Sequence, residues 1–226
     1  MKIFAVICTR DKNLSSVTHE LLHTLSSYGV EVKLLVNQKS IFGAYSKGLN
    51  SCKASATDII IFCHDDIKIL SPKLEFLAAL SKCVEQETGI VGAAGTTNLG
   101  TDAIWWFKER WEQGFHRGKV KHILKNRVEV TPYGDPGQVV ALDGLFLAAR
   151  KQIWEEVGLD KPEYFEGLWD FYDIHYTTSV HNLGYKNYAI PLDILHLSGG
   201  DLVGRDSWHK NREAFIAQTT LPLKLQ

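Results

Sequence analysis

The chain has 226 residues, 45% of them hydrophobic, and its 25 lysines and arginines nearly balance 26 aspartates and glutamates, for a formal net charge of −1. That length accommodates one large domain with a core of its own. The balanced charge argues against bulk attraction to nucleic acid, and no apolar run reaches the roughly 20 residues of a membrane span.

The first third alternates strand and helix signals. KIFAVIC reads as a buried strand; its apolar run is too short for a signal-peptide core and ends at Thr9, Arg10, Asp11 and Lys12. NLSSVTHELLHTLSSYG puts Leu14, Val17, Leu21 and Leu25 on one helical face and stops at Gly29. VEVKLLV is the second strand, IFGAYSKGLNSCKAS a short glycine-containing helix, and DIIIFC the third strand. SPKLEFLAALSKCVEQETG predicts a helix with Ser71 as N-cap and Pro72 at its first position, closing at Gly89. IVGAAG is the fourth strand. Strands spaced by helices predict βαβ units and a largely parallel sheet.

The middle is less regular. TDAIWWFKERWEQGFHRGK carries Trp105, Trp106 and Trp111, which stack on flat sugar faces if exposed and build local core if not. RVEVTPYGDPGQVVALDGLFLAAR alternates strand signals with a turn at residues 133–137 and reads as more antiparallel. Basic residues crowd this region: Lys108, Arg110, His116, Arg117, Lys119, Lys121, His122, Lys125 and Arg127. They form either a solvated face or a contact for a phosphate-bearing ligand or an anionic membrane surface. KQIWEEVG and WDFYDIHYTTSVHNLG are helices, the second ending at Gly184, and YKNYAIPLDILHLSGG is strand and loop. Cys8, Cys52, Cys63 and Cys83 sit in or beside apolar segments without C-x-x-C spacing, as buried thiols in a reducing compartment do. The expectation is a cytoplasmic protein, membrane-associated at most peripherally.

In open parallel sheets, ligands bind outside the carboxyl ends of the strands. Three such ends turn polar here: Thr9 to Asp11, Asn37 to Ser40, and His64-Asp65-Asp66. Neither G-x-G-x-x-G after the first strand nor G-x-x-x-x-G-K-S/T is present. The Asp65-Asp66 pair either holds a divalent cation that neutralises a diphosphate or makes the turn toward Ser71. Asp170 and Asp173 are three apart and would share a helical face, where a carboxylate near a helix start can act as general base. His196, after an apolar strand and before Gly199-Gly200, is a metal-ligand candidate. His64 reads as shaping the turn, and His19, His23, His116, His122, His175, His181 and His209 receive no role.

The order of these elements is informative. A strand–helix–strand start leads to H-x-D, then VVALDGLFLAAR, then YFEGLWDFYDIHYTTSVHNLGYKNYAI, then H-x-S-G-G. This resembles the family 2-like glycosyltransferases of the GT-A fold, in the bacterial branch whose acidic motif reads H-x-D. The resemblance runs from about Lys2 to Gly200. It implies an α/β fold: a GT-A-like single domain with a Rossmann-like nucleotide-binding half and a central mixed, mostly parallel sheet flanked by helices. Residues 1–200 would be the transferase domain, with a donor half at 1–100 and an acceptor half at 101–200, and 201–226 a C-terminal extension.

The resemblance also implies roles. Asp66 and His196 would bind a divalent cation, Mn²⁺ or Mg²⁺. Asp65, Thr9, Arg10, Asn37 and Lys47 would contact the nucleotide donor, a UDP- or GDP-sugar. Asp143 and Gly144 match the D-G before the acceptor site, and Trp105 and Trp106 would contact the acceptor, a glycan or lipid-linked glycan. Asp173 matches the general base of inverting members. Two positions depart from the family pattern. Ser46 stands where A-x-N-x-G has asparagine, leaving Lys47 or Asn50 for that contact, and His175 stands where a second acid often follows the catalytic one. These departures motivate the alternative of a non-catalytic sugar- or nucleotide-binding module. A nucleotidyltransferase would need a glycine- and lysine-rich loop after the first strand, and CTRDKNLSS has no glycine.

Overall fold

A computed structural model describes residues 1–107, 112–124, 127–198 and 206–225. Lys108, Arg110, Trp111, Lys125, Gly199, Gly200 and the start of the C-terminal extension at Asp201 lie outside the described residues. The first elements are β1 (Ile3–Cys8), α1 (Ser16–Ser27), β2 (Glu31–Leu35), α2 (Ile41–Ser51) and β3 (Ile59–Cys63). Both helices start on a serine that accepts a backbone N–H: Ser15 from Thr18 at 3.0 Å and Ser40 from Gly43 at 3.4 Å. Gly48 lets α2 lie directly on β1, because a Cβ there would sit 2.2 Å from Val6 Cγ1.

The chain continues through β4 (Ile67–Ile69), α3 (Lys73–Leu80), β5 (Thr88–Gly92), β6 (Ala94–Thr96), β7 (Asn98–Leu99), β8 (His116–Leu124) and β9 (Arg127–Gly134). Next come β10 (Gly137–Val139), β11 (Ala141–Leu142), β12 (Phe146–Arg150), α4 (Lys151–Val157) and α5 (Tyr172–Asn182). Then follow β13 (Lys186–Ala189), β14 (Ile194–His196), α6 (Asp206–Gln218) and β15 (Leu223–Lys224).

Seven strands form the main sheet in the order β10-β13-β5-β12-β3-β1-β2. Here β2, β1 and β3 pair in parallel, as do β13 and β5, while β12 runs antiparallel to both β3 and β5 and β10 antiparallel to β13. The sheet is therefore mixed, with three parallel and three antiparallel pairings. β3 is buried from Ile59 to Cys63, as expected of a strand covered on both faces. Phe62 stacks on Tyr45 of α2 with ring centroids 4.3 Å apart, and it meets Trp154 of α4 edge-on at 4.8 Å. Trp154 in turn donates its indole N–H to the Ile60 carbonyl at 3.1 Å. Aromatic contacts thus hold α2 and α4 to the sheet.

A second sheet runs β11-β6-β8-β14-β4, with β9 paired to β8. It forms because the fourth predicted strand is two strands. IVGAAG divides at Ala93, with β5 in the main sheet and β6 in the second. The second sheet sets the site: β14 runs antiparallel to β4 with His196 opposite Ile67, and Leu197 N–H donates to the Asp66 carbonyl at 3.0 Å.

Three local expectations need correction. The helix expected to close at Gly89 ends at Leu80, and Gly89 lies inside β5. Ser71 does not cap α3. Its hydroxyl accepts from Asp193 N–H at 2.8 Å, and Pro72, which precedes the first helical residue, makes no side-chain cap. Asp170 and Asp173 do not share a helical face either. Phe171 takes a left-handed φ of 68° and α5 begins only at Tyr172, so Asp170 lies before the helix and accepts from Ser207 of α6 at 2.6 Å.

Candidate active site

A cavity of about 600 Å³ opens at the carboxyl ends of β1 and β3. Ten of the residues singled out in the sequence line it: Thr9, Arg10, Asp65, Asp66, Trp105, Trp106, Asp143, Gly144, Asp173 and His196. Asn37 and Lys47 do not line it. Asn37 is an exposed turn residue with φ 53°, whose N–H donates to the Asp11 carbonyl, and Lys47 is exposed on α2.

On one side three side chains converge. Asp66 Oδ1 lies 3.3 Å from His196 Nε2 and 3.7 Å from His64 Nδ1, and the two ring nitrogens are 3.5 Å apart. The three donor atoms fall within 4.8 Å of one another. His196 is only 6% exposed, and its Nε2 also lies 2.9 Å from Ser198 Oγ. Burial opposes charge on all three groups. For His64 burial prevails, reinforced by repulsion from His196, and its pKa falls to about 4. For Asp66 burial is outweighed by the hydrogen bond with His196 and the charges of both imidazoles, which hold the carboxyl below the usual range. For His196 burial is likewise outweighed, here by the bond to Asp66, and the imidazole is raised. Two nitrogens and one carboxylate oxygen facing a common point form a set suited to a divalent cation.

Asp173 lines the same cavity from the first turn of α5. Its Oδ2 accepts the Gly144 N–H at 3.1 Å. Burial, then the neighbouring Asp143 carboxylate, push its pKa up to about 7. Gly144 is required by close approach, since a Cβ there would lie 2.3 Å from Tyr172 Oη and 2.9 Å from Asp173 Cβ.

The rim is aromatic. The Arg10 guanidinium sits 4.3 Å from the centroid of Trp169, whose indole N–H donates to the Lys39 carbonyl at 3.0 Å. Trp105 is 2% exposed, so most of its face is core. Trp106 is half-buried and packs on Trp208 of α6 at 5.6 Å. The buried Asn211 of α6 accepts the Gly167 N–H at 2.8 Å and donates to the Asp170 carbonyl at 3.0 Å. The C-terminal helix thereby closes one wall of the cavity.

Comparison with known proteins places this architecture. Residues 4–198 match the profile of the Glycosyltransferase like family. The chain belongs to that family. It has the GT-A-like α/β fold, with a mixed central sheet flanked by helices. The solved structure of GalNAc-T7 with UDP, GalNAc and Mn²⁺ superposes with a TM-score of 0.62 at 12% identity, covering 96% of this chain and 48% of that one. The chain therefore spans about half the length of that structure. A197 from STIV superposes with a TM-score of 0.52 at 12% identity, covering 88% of this chain and 86% of that one. At such identity both likenesses bear on fold alone. No curated protein matches the sequence. Among the described residues, no helix is long and apolar enough to cross a membrane.

Several cavity residues of this glycosyltransferase-family chain carried no site role in the sequence reading. His64 stands in the H-x-D motif itself, but its direction depends on β14 lying alongside. Tyr172 and Trp169 carry no local signal beyond aromaticity. His122 alternates with buried Val120 along β8 and reaches the cavity with its ring 5.8 Å from His196, so period-two patterning marked its face. His175 does not line the cavity; its ring packs against Phe165 and Tyr176, and burial lowers its pKa to about 4.

Proposed function

We propose that this chain transfers a sugar, with inversion, from a nucleotide-activated donor to a hydroxyl of a glycan or lipid-linked glycan, using a divalent cation. The observation that carries the reading is that a convergent donor set and a separate raised carboxylate line one cavity. His64, Asp66 and His196 converge, and Asp173 lines the same cavity from the first turn of α5. His64, Asp66 and His196 would hold the cation, and their mixed nitrogen and oxygen donors suit Mn²⁺ better than Mg²⁺, which prefers oxygen alone. Bound there, the cation supplies charge to stabilise the leaving diphosphate.

Asp65, Thr9 and Arg10 border the donor, with Trp169 beside Arg10 as a flat surface. A UDP- or GDP-sugar is the expected donor class. Asp173 takes the proton of the attacking hydroxyl, and a carboxylate with a pKa about 7 is matched to that task. In-line attack from the face opposite the leaving group is what would invert the anomeric centre. The side chain at position 175 packs away from the cavity, so the histidine there does not remove the base. Residues 1–200 form the transferase unit in this reading, and the extension at 201–226 contributes Trp208 to its wall.

Calorimetric titration of UDP and GDP with and without Mn²⁺ tests the donor side, and donor turnover on an acceptor panel tests transfer. Asp66→Ala is expected to abolish metal-dependent nucleotide binding, and Asp173→Asn to keep binding and lose transfer. Normal turnover by Asp173→Asn would sink the base assignment. Metal-dependent binding without turnover in the unaltered protein would favour a non-catalytic sugar-binding module.

A further inference from the structure

We infer that Tyr172 is a positioning residue that sets the tautomer of His64, turning a bare Nδ1 lone pair toward Asp66 and His196. The tautomer follows from geometry alone; its use in holding a cation rests on the function proposed above.

The donors and acceptors around the Tyr172 hydroxyl fix where the protons go. Tyr172 Oη lies 2.7 Å from His64 Nε2 and 3.1 Å from the carbonyl oxygen of Gly144. A carbonyl only accepts, while Nε2 either donates or accepts, so both contacts are satisfied together only when the single phenolic proton goes to Gly144. The phenolic oxygen is then the acceptor for Nε2–H of His64, and Nδ1 carries no proton. The opposite tautomer satisfies less. Tyr172 would have to donate to Nε2 and release the Gly144 carbonyl. Nδ1–H would face Asp66 Oδ1 at 3.7 Å and His196 Nε2 at 3.5 Å, both too far for a good hydrogen bond.

Tyr172 is held firmly enough to impose this choice. It is 5% exposed, and its ring meets Tyr45 at 5.8 Å, Tyr176 at 6.2 Å and Phe42 at 6.5 Å. Gly144 leaves no slack, since its missing Cβ would overlap the hydroxyl. The same glycine holds Asp173 through its N–H. One tyrosine therefore connects the His64 cluster to the mount of the Asp173 carboxylate.

The test is a long-range ¹H–¹⁵N correlation spectrum of the full, metal-free chain at about pH 8, above the ordinary imidazole range. Loss of one signal set in His64→Gln assigns that ring. The expected pattern has Nε2 protonated and Nδ1 bare. In Tyr172→Phe, which removes one oxygen and keeps the ring, the pattern is expected to become mixed or to reverse. Mn²⁺ affinity, read by electron paramagnetic resonance, is expected to fall about 10–100-fold, as for lost outer partners of ligating histidines. A wild-type His64 protonated at Nδ1 overturns the inference without any variant, and so does an unaltered pattern in Tyr172→Phe. If the expected tautomers appear but wild-type protein does not bind Mn²⁺, the cation reading fails and the tautomer assignment stands.

Discussion

The N–H of Gly144 holds Oδ2 of Asp173 at 3.1 Å, and nothing larger than glycine fits at that point. The hydrogen bond needs the loop carbon close to the helix start, and that closeness excludes a side chain. Gly144→Ala must move Tyr172 or the loop. Overpacking of this kind costs ~1–3 kcal/mol. The expected result is a lower melting temperature and a larger loss in transfer than in nucleotide binding, measured by calorimetry and turnover on the same preparation.

Asp173 sets a pH dependence. Its pKa is raised to about 7, first by burial and then by Asp143. Under the proposed function it is the base and works deprotonated, so kcat/KM is expected to rise with pH and level off above about 7. The stability sign is opposite. A carboxyl whose folded pKa lies above its unfolded value binds more protons in the native state, so it destabilises the fold as pH rises from the ordinary carboxylate range to about 7. Asp173→Asn is permanently neutral. It is expected to melt higher than wild type at about pH 8 and to lose that advantage at about pH 4, as differential scanning calorimetry would record.

Asn187 is a fold determinant with no solvent exposure. Its Oδ1 accepts Ile90 N–H at 2.9 Å, and its amide donates to the Thr177 and Val140 carbonyls at 2.7 and 3.3 Å. It ties β5, α5 and the segment before β11 together. Asn187→Ala strands buried backbone groups, each worth ~1–3 kcal/mol when left unpaired. The expectation is a loss of ~3 kcal/mol or more in denaturant unfolding, a greater loss than Gly144→Ala causes.

Asn211 does for the cavity wall what Asn187 does for the core. It is fully buried and bonds Gly167 and Asp170 from α6. Asn211→Ala is expected to loosen the loop that carries Trp169 and Asp170. Under the proposed function, KM for the donor rises more than kcat falls. Steady-state kinetics with varied donor check this, and an unchanged KM would detach α6 from donor binding.

Much of the alternating first half was legible in the chain, because a strand buried on both faces needs a continuous apolar run and an amphipathic helix needs its own period. The run at 59–62 followed by His64, Asp65 and Asp66 marked a ligand edge before any contact was known. The resemblance to the family 2-like glycosyltransferases then singled out Asp66, with His196 and Asp173 far along the chain. Three things lay beyond that reading. β12, whose antiparallel character was legible, takes its place between β3 and β5, the fourth strand divides between two sheets, and Phe171 takes a left-handed turn that removes Asp170 from the helix. Each is settled by partners distant in sequence, which local periodicity does not encode. The meeting of His64 and His196, 132 positions apart, is of the same kind. The residue types that can hold a cation or take a proton were fixed by the sequence itself. Which of them share a cavity, and which nitrogen faces it, was decided only when β14 paired with β4 and Tyr172 closed on Gly144, because strand register and hydrogen-bond direction exist only in the folded chain.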